Sequence, residues 1–119
     1  MKSYTDIEQS KKLAEILPIE SADMFYWCGD QIRLGFYRAM DKDLDIPAWS
    51  LAALLNYLHE IDFFPGIDAD EHGVTMSIDY YNEDEGKLLH PVHNIKAEAE
   101  TFVDACCEMI ILLHKENLI

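Results

Sequence analysis

From residue 48 to residue 59 the chain carries no Asp, Glu, Lys or Arg. Twelve residues without a formal charge resist exposure to water on every side. Within them Trp49, Leu51, Leu54, Leu55 and Leu58 recur at helical spacing over more than one face. The stretch predicts a central helix buried on most sides. Pro47 sits in its first turn, where a missing amide hydrogen costs nothing. The surroundings have the opposite character. Residues 41–86 hold 12 of the 23 acids and a single base, Lys42, which is −11 of the total net charge of −14. The acids are thereby confined to loops around a helix that must be covered.

The 119 residues suit one domain, 1–119, able to bury a core without disulfides. Half of them are apolar and 27% are charged, a globular composition. The first dozen residues hold no apolar stretch that could act as a signal peptide, and the apolar run 103–113 is broken by Asp104 and Glu108 and is too short to span a bilayer. A soluble cytoplasmic protein is the expectation. Three cysteines, Cys28, Cys106 and Cys107, argue against a disulfide framework, and one of the adjacent pair suits a core position as a small apolar residue.

Along the chain, Thr5 and Glu8 fit a capping box for a helix over 5–17 with Ile7, Ser10, Leu13, Ala14 and Leu17 on one face, stopped by Pro18. Residues 23–28 and 31–37 read as a hairpin around Gly29-Asp30, with Ile32, Leu34 and Phe36 alternating against Arg33, Gly35 and Tyr37. After the uncharged helix, residues 62–66 are a breaker and 68–71 an acidic loop. Residues 74–81 form a strand with Val74, Met76, Ile78 and Tyr80 on one face. Residues 87–92 suit a return strand that Pro91 places at an edge. A last helix over 98–117 carries two apolar stripes, Phe102, Cys106, Met109, Leu113 and Val103, Cys107, Ile110, His114. The order is α-ββ-α-ββ-α, an α+β domain with an antiparallel sheet packed on helices.

Residues 47–58, Pro-Ala-Trp-Ser-Leu-Ala-Ala-Leu-Leu-Asn-Tyr-Leu, and residues 103–114, Val-Asp-Ala-Cys-Cys-Glu-Met-Ile-Ile-Leu-Leu-His, carry a resemblance. The first is similar to a P-A/C-W-S-L-x-A-L-L signature, and the second to the C-terminal helix, of short uncharacterised proteins of bacteria, prophages and mobile elements. The two blocks cover about a fifth of the chain. Both are core helices, so the resemblance implies a shared fold and a phage or mobile-element setting, and it carries no activity. In that family Asn-Pro often precedes the Val-Asp-Ala-Cys stretch. Thr101-Phe102 stands there in this chain, which predicts a helix beginning about a turn earlier.

Several constellations bear on chemistry. Asp68, Asp70, His72, Gly73 and Asp79 follow the spacing of a calcium loop over 68–79, although His72 is a poor calcium ligand and Asp79 is short for the closing position. His90 and His93 lie three apart, so on a strand they face opposite sides and complete no zinc site with Cys28 or His72. Cys28 with Asp30, or Ser50, is the nearest approach to a nucleophile, and Ser50 on a buried helix more often bonds a backbone carbonyl. No nucleophile elbow or phosphate loop is present. The aromatic run Phe25-Tyr26-Trp27 with Tyr37 resembles a base-stacking platform. Only Arg33 and Arg38 lie nearby, too little positive charge for a direct nucleic-acid contact.

The acids themselves admit a solvated surface, docking to a basic partner, or mimicry of nucleic acid. A helix of about 14 residues spans roughly 21 Å, a length over which duplex DNA carries about 12 phosphates. The expectation is a non-enzymatic, protein-binding domain that uses no cofactor or metal and contacts neither nucleic acid nor membrane. It docks a basic protein, such as a host or defence protein, and is compatible with a homodimer. Asp41, Asp43, Asp45, Asp68, Asp70, Glu71, Glu83, Asp84 and Glu85 are its candidate partner-binding residues. A small enzyme or ligand-binding protein is the rival class.

Overall fold

A computed structural model describes residues 2–35, 39–80 and 93–119. The expected return strand over 87–92, the acids Glu83, Asp84 and Glu85, and His90 lie outside the described residues.

Helix α1 spans Ile7–Ala14. Asp6, not Thr5, is its N-cap: the Asp6 carboxylate accepts from Gln9 N at 2.8 Å while Gln9 Oε1 accepts from Asp6 N at 3.1 Å. The capping box is thus one residue later than expected, which leaves Thr5 free to turn inward. After a 3-10 turn over Ile19–Ser21 the chain enters β1, Met24–Trp27, and returns as β2, Gln31–Leu34. A third strand, β3, Ile46–Ala48, pairs antiparallel on the other side of β1, in the order β2-β1-β3. Pro47 therefore belongs to an edge strand and not to a helix, and an edge tolerates its missing N–H. Leu34, expected on a buried face, is 80% exposed. Phe25 is buried beside Gly35, where any Cβ would come within 2.9 Å of its ring.

Helix α2, Leu51–Glu60, begins after its N-cap Ser50. It ends in a Schellman motif. Asp62 adopts φ 64°, Asp62 N donates to His59 O at 3.1 Å, and Phe63 N donates to Leu58 O at 2.8 Å. The second sheet comprises β4, Gly66–Asp70, β5, Gly73–Tyr80, and β6, His93–Ala99, antiparallel in that order. Helix α3, Phe102–Lys115, closes the chain with Thr101 as N-cap and a second Schellman motif at Asn117, φ 59°. Thr101 Oγ1 accepts from Asp104 N at 3.1 Å, so the helix starts there and not a turn earlier.

The class is α+β with antiparallel pairing, built as two three-stranded sheets among three helices. α3 is the central helix. Val103, Ala105, Cys106, Cys107, Met109, Ile110 and Leu113 are all buried, both cysteines included. They meet Val74, Met76, Ile78 and Ala97 from the second sheet, Leu13 from α1, and Leu54 and Leu58 from α2. α2, expected at the centre, buries only Leu54 and Leu58 completely and exposes Ala52, Asn56, His59 and Glu60. The uncharged stretch 48–59 thus contributes a half-covered helix and not one buried on most sides. Met24, Tyr26 and Ala48 form a smaller cluster with Tyr4, Ile7, Ile32 and Ile46 under the first sheet.

Candidate functional site: an acidic end of the second sheet

The candidate acids among the described residues fall into two groups, each beside a different sheet. In the first, the expected partner-facing trio separates. The two Asp45 oxygens accept from Cys28 N at 2.8 Å and Asp41 N at 2.9 Å. Only 8% of the residue is exposed. Asp45 therefore pins the 41–45 loop to the β1–β2 turn, where Cys28 has φ 49°, and is not a surface charge. Asp41 accepts from Asp43 N at 2.9 Å and remains exposed with Asp43.

The second group surrounds the β4–β5 turn. All five residues of β4 are exposed. The register sets Asp68 opposite Thr75 and Asp70 opposite Gly73, and Thr75 is in turn opposite Glu98. Residues directly opposite share a face, so Asp68, Thr75 and Glu98 make one row across the uncovered side of the sheet. Asp70 accepts from His72 N at 2.7 Å, shaping the turn. Gly73, at φ 145°, is required there: a Cβ would lie 2.6 Å from Ala99 O. Glu71 and His72 stand 3.5 Å apart in solvent and pair only when the imidazole is protonated. Two open clefts flank the turn. One, about 440 Å³, is lined on its polar side by Asp70, Glu71, His72, Glu100 and Thr101. The other, about 420 Å³, draws on Asp70, His72, Thr75, Glu98 and Glu100. Among the described residues neither lining contains Lys or Arg.

Glu98 and Glu100 lie outside the anionic segment 41–86 and join the site only through strand pairing. Their sequence signal is period two: Ile95, Ala97 and Ala99 alternate with Lys96, Glu98 and Glu100. Asp68, Asp70 and Glu71 do gather here, whereas Asp41 and Asp43 lie beside the first sheet.

The rival chemistries meet specific geometry. The stretch 68–79 with calcium-loop spacing is a strand, a tight turn and a strand. Asp79 lies opposite Asn94 and donor to it is Asn94 Nδ2 at 2.6 Å, four strand residues along β5 from the partner of Asp68. At about 3.4 Å per residue the ends of that loop stand too far apart to share a cation. Among the described residues no three His, Cys, Asp or Glu side chains are placed to hold a metal. Ser50 Oγ donates to Asp23 Oδ2 at 2.5 Å and accepts from Ala53 N at 3.1 Å. Its proton is committed to Asp23 and an oxygen lone pair to capping α2. Trp27, 44% exposed, lies under the Arg33 guanidinium, 4.5 Å from the ring centre, so one of its two faces is already stacked. Among the described residues no helix is long and apolar enough to cross a membrane. No protein-family model, curated protein or solved structure matches the chain.

Proposed function

We propose that this chain is a non-enzymatic binding domain whose acidic end docks a basic surface on another protein. The observation that carries the reading is the gathering of Asp68, Asp70, Glu71, Glu98 and Glu100 around one turn, beside two open clefts that among the described residues are lined by no Lys or Arg. Acids grouped on one rim steer and orient a positively charged partner, while the same field repels nucleic acid and anionic lipid. The phage or mobile-element setting implied by the helix signatures belongs to this reading, with a host or defence protein as the basic partner.

The test uses a 12-residue Lys/Arg-rich peptide as probe, titrated into the protein at 50 and 300 mM salt. Binding should weaken at least several-fold with salt. A triple Asp70→Asn, Glu71→Gln, Glu100→Gln variant should lose most of the low-salt affinity, while an Asp41→Asn, Asp43→Asn variant should retain it. Affinity that is flat with salt, or equal in both variants, would sink the reading.

A further inference from the structure

We propose that the free edge of β4 receives an extended strand from the partner, one that alternates basic and apolar residues. The inference rests on the reading of the acidic end and goes further by naming the docking mode and the sequence pattern recognised.

β4 is hydrogen-bonded to β5 on one side, and among the described residues nothing pairs with its other side. An antiparallel edge strand directs alternate N–H and C=O groups outward, ready to bond another chain. The side chains along this edge are sorted by face. Ile67 lies opposite Met76 and Ala69 opposite Val74, and both of those partners are buried, so Ile67 and Ala69 belong to the apolar side of the sheet. Asp68 and Asp70 belong to the open side with Thr75 and Glu98. Ile67 remains 43% exposed, and Phe64, two residues before the strand, 64% exposed. A strand laid along β4 therefore meets apolar surface on one face and two carboxylates, two residues apart, on the other. Its complement has Lys or Arg at positions i and i+2 and apolar residues between them.

Charge selects this occupant over a second copy of the chain. Two β4 strands paired edge to edge with their apolar faces on the same side set Asp68 and Asp70 of one copy on the same face as those of the other. Like charges opposed across strands destabilise the pair, and opposite charges stabilise it.

Four heptapeptide probes test the proposal: alternating Lys-Val, a block arrangement of the same composition, and two phases of the alternating peptide N-methylated at every second residue. Binding is followed by calorimetry and by amide hydrogen exchange. The alternating peptide should bind several-fold tighter than the block peptide and slow exchange within residues 66–70. One N-methyl phase should abolish that preference and the other retain it, because only one phase carries the bonds to β4. Asp68→Asn, Asp70→Asn should weaken the alternating peptide about 3- to 10-fold. Equal, salt-sensitive binding of alternating and block peptides would overturn strand addition and leave the acidic docking surface standing. No binding of any peptide at 50 mM salt would overturn both. Concentration-dependent protection of residues 66–70 in the protein alone would show that a second copy occupies the edge, and would also overturn the proposal.

Discussion

Thr5 and Trp49 exchange hydrogen bonds across 44 residues of chain: Thr5 N donates to Trp49 O at 2.9 Å, and Trp49 N donates to Thr5 Oγ1 at 3.1 Å. Both residues are fully buried. Thr5 Oγ1 also lies 2.8 Å from Ser10 Oγ, and Thr5 O accepts from Tyr26 Oη at 2.6 Å. One residue thus ties the start of α1, strand β1 and the entry to α2 together. Thr5→Val keeps the shape but leaves Trp49 N–H and the Ser10 hydroxyl without a partner. Each such buried group costs about 1–3 kcal/mol, so the variant should lose about 2–4 kcal/mol in urea unfolding. Thr5→Ser should recover most of it. An unfolding midpoint for Thr5→Val within error of the parent would show that the hydroxyl is dispensable.

Lys2 spans Asp104 at 2.6 Å and Asp6 at 3.0 Å, and Gln9 Nε2 donates to the same Asp104 oxygen at 2.7 Å. Burial pushes the Asp104 carboxyl up, but the bonds from Lys2, Gln9 and Thr101 more than reverse it, and the group titrates below its ordinary value. Asp6 moves down likewise: burial raises it, and the bonds from Gln9 N and Lys2 more than offset that. For Lys2, burial lowers the value and the two carboxylates raise it further. A depressed carboxylate stabilises the fold above its unfolded pKa and loses that contribution as pH falls through its folded pKa. A raised lysine stabilises below its unfolded pKa and loses it as pH rises through its folded one. The stability gap between the parent and Asp104→Asn should therefore be flat through neutral pH. It should shrink below about pH 4 and again above about pH 10.5. A gap that does not change between pH 7 and pH 2 would contradict the linkage.

The elements legible in the sequence are those whose apolar pattern admits one period. Val74, Met76 and Ile78 alternate without competition, and all three are buried. The α3 stripes are equally plain. Three strands were hidden for three reasons. β4 is open to water along its length, so Gly66–Asp70 has the composition of a loop. In β3, Pro47 suits a helix start as well as an edge strand, and only its pairing with Phe25 decides. In β6, Lys96, Ala97, Glu98 and Ala99 are good helix formers directly before a true helix, and pairing with β5 overrides that preference. The site divides in the same way. Charge marks Asp68, Asp70 and Glu71, but whether a given carboxylate faces solvent or a backbone amide depends on contacts distant in sequence, as Asp45 and Cys28 show.

Burial pushes the thiols of Cys106 and Cys107 up, each to about 12, while Cys28 is exposed in the β1–β2 turn. The thiolate is the reactive form. At pH 8 one thiol per chain should react quickly with a disulfide reagent, and the other two only on unfolding. Cys28→Ser should abolish the fast phase. Three fast thiols in the folded protein would contradict the buried placement of α3.

Asp45 and Asp68 should separate under mutation into an acid that holds the fold and one that faces outward. Asp45→Ala strips the acceptor from Cys28 N and Asp41 N. With Asp45 almost fully buried, the variant should lose about 1–3 kcal/mol of stability. Asp68→Ala removes a carboxylate from an exposed strand position with no protein hydrogen bond described for it, so stability should change by about 0.5 kcal/mol or less. Binding of the Lys/Arg-rich peptide should respond in reverse. It should fall for Asp68→Ala and hold for Asp45→Ala at temperatures where that variant is still folded. If Asp45→Ala weakened the peptide as much as Asp68→Ala did, with both variants folded, the partner would be contacting the 41–45 loop as well. The acidic surface would then extend across both sheets.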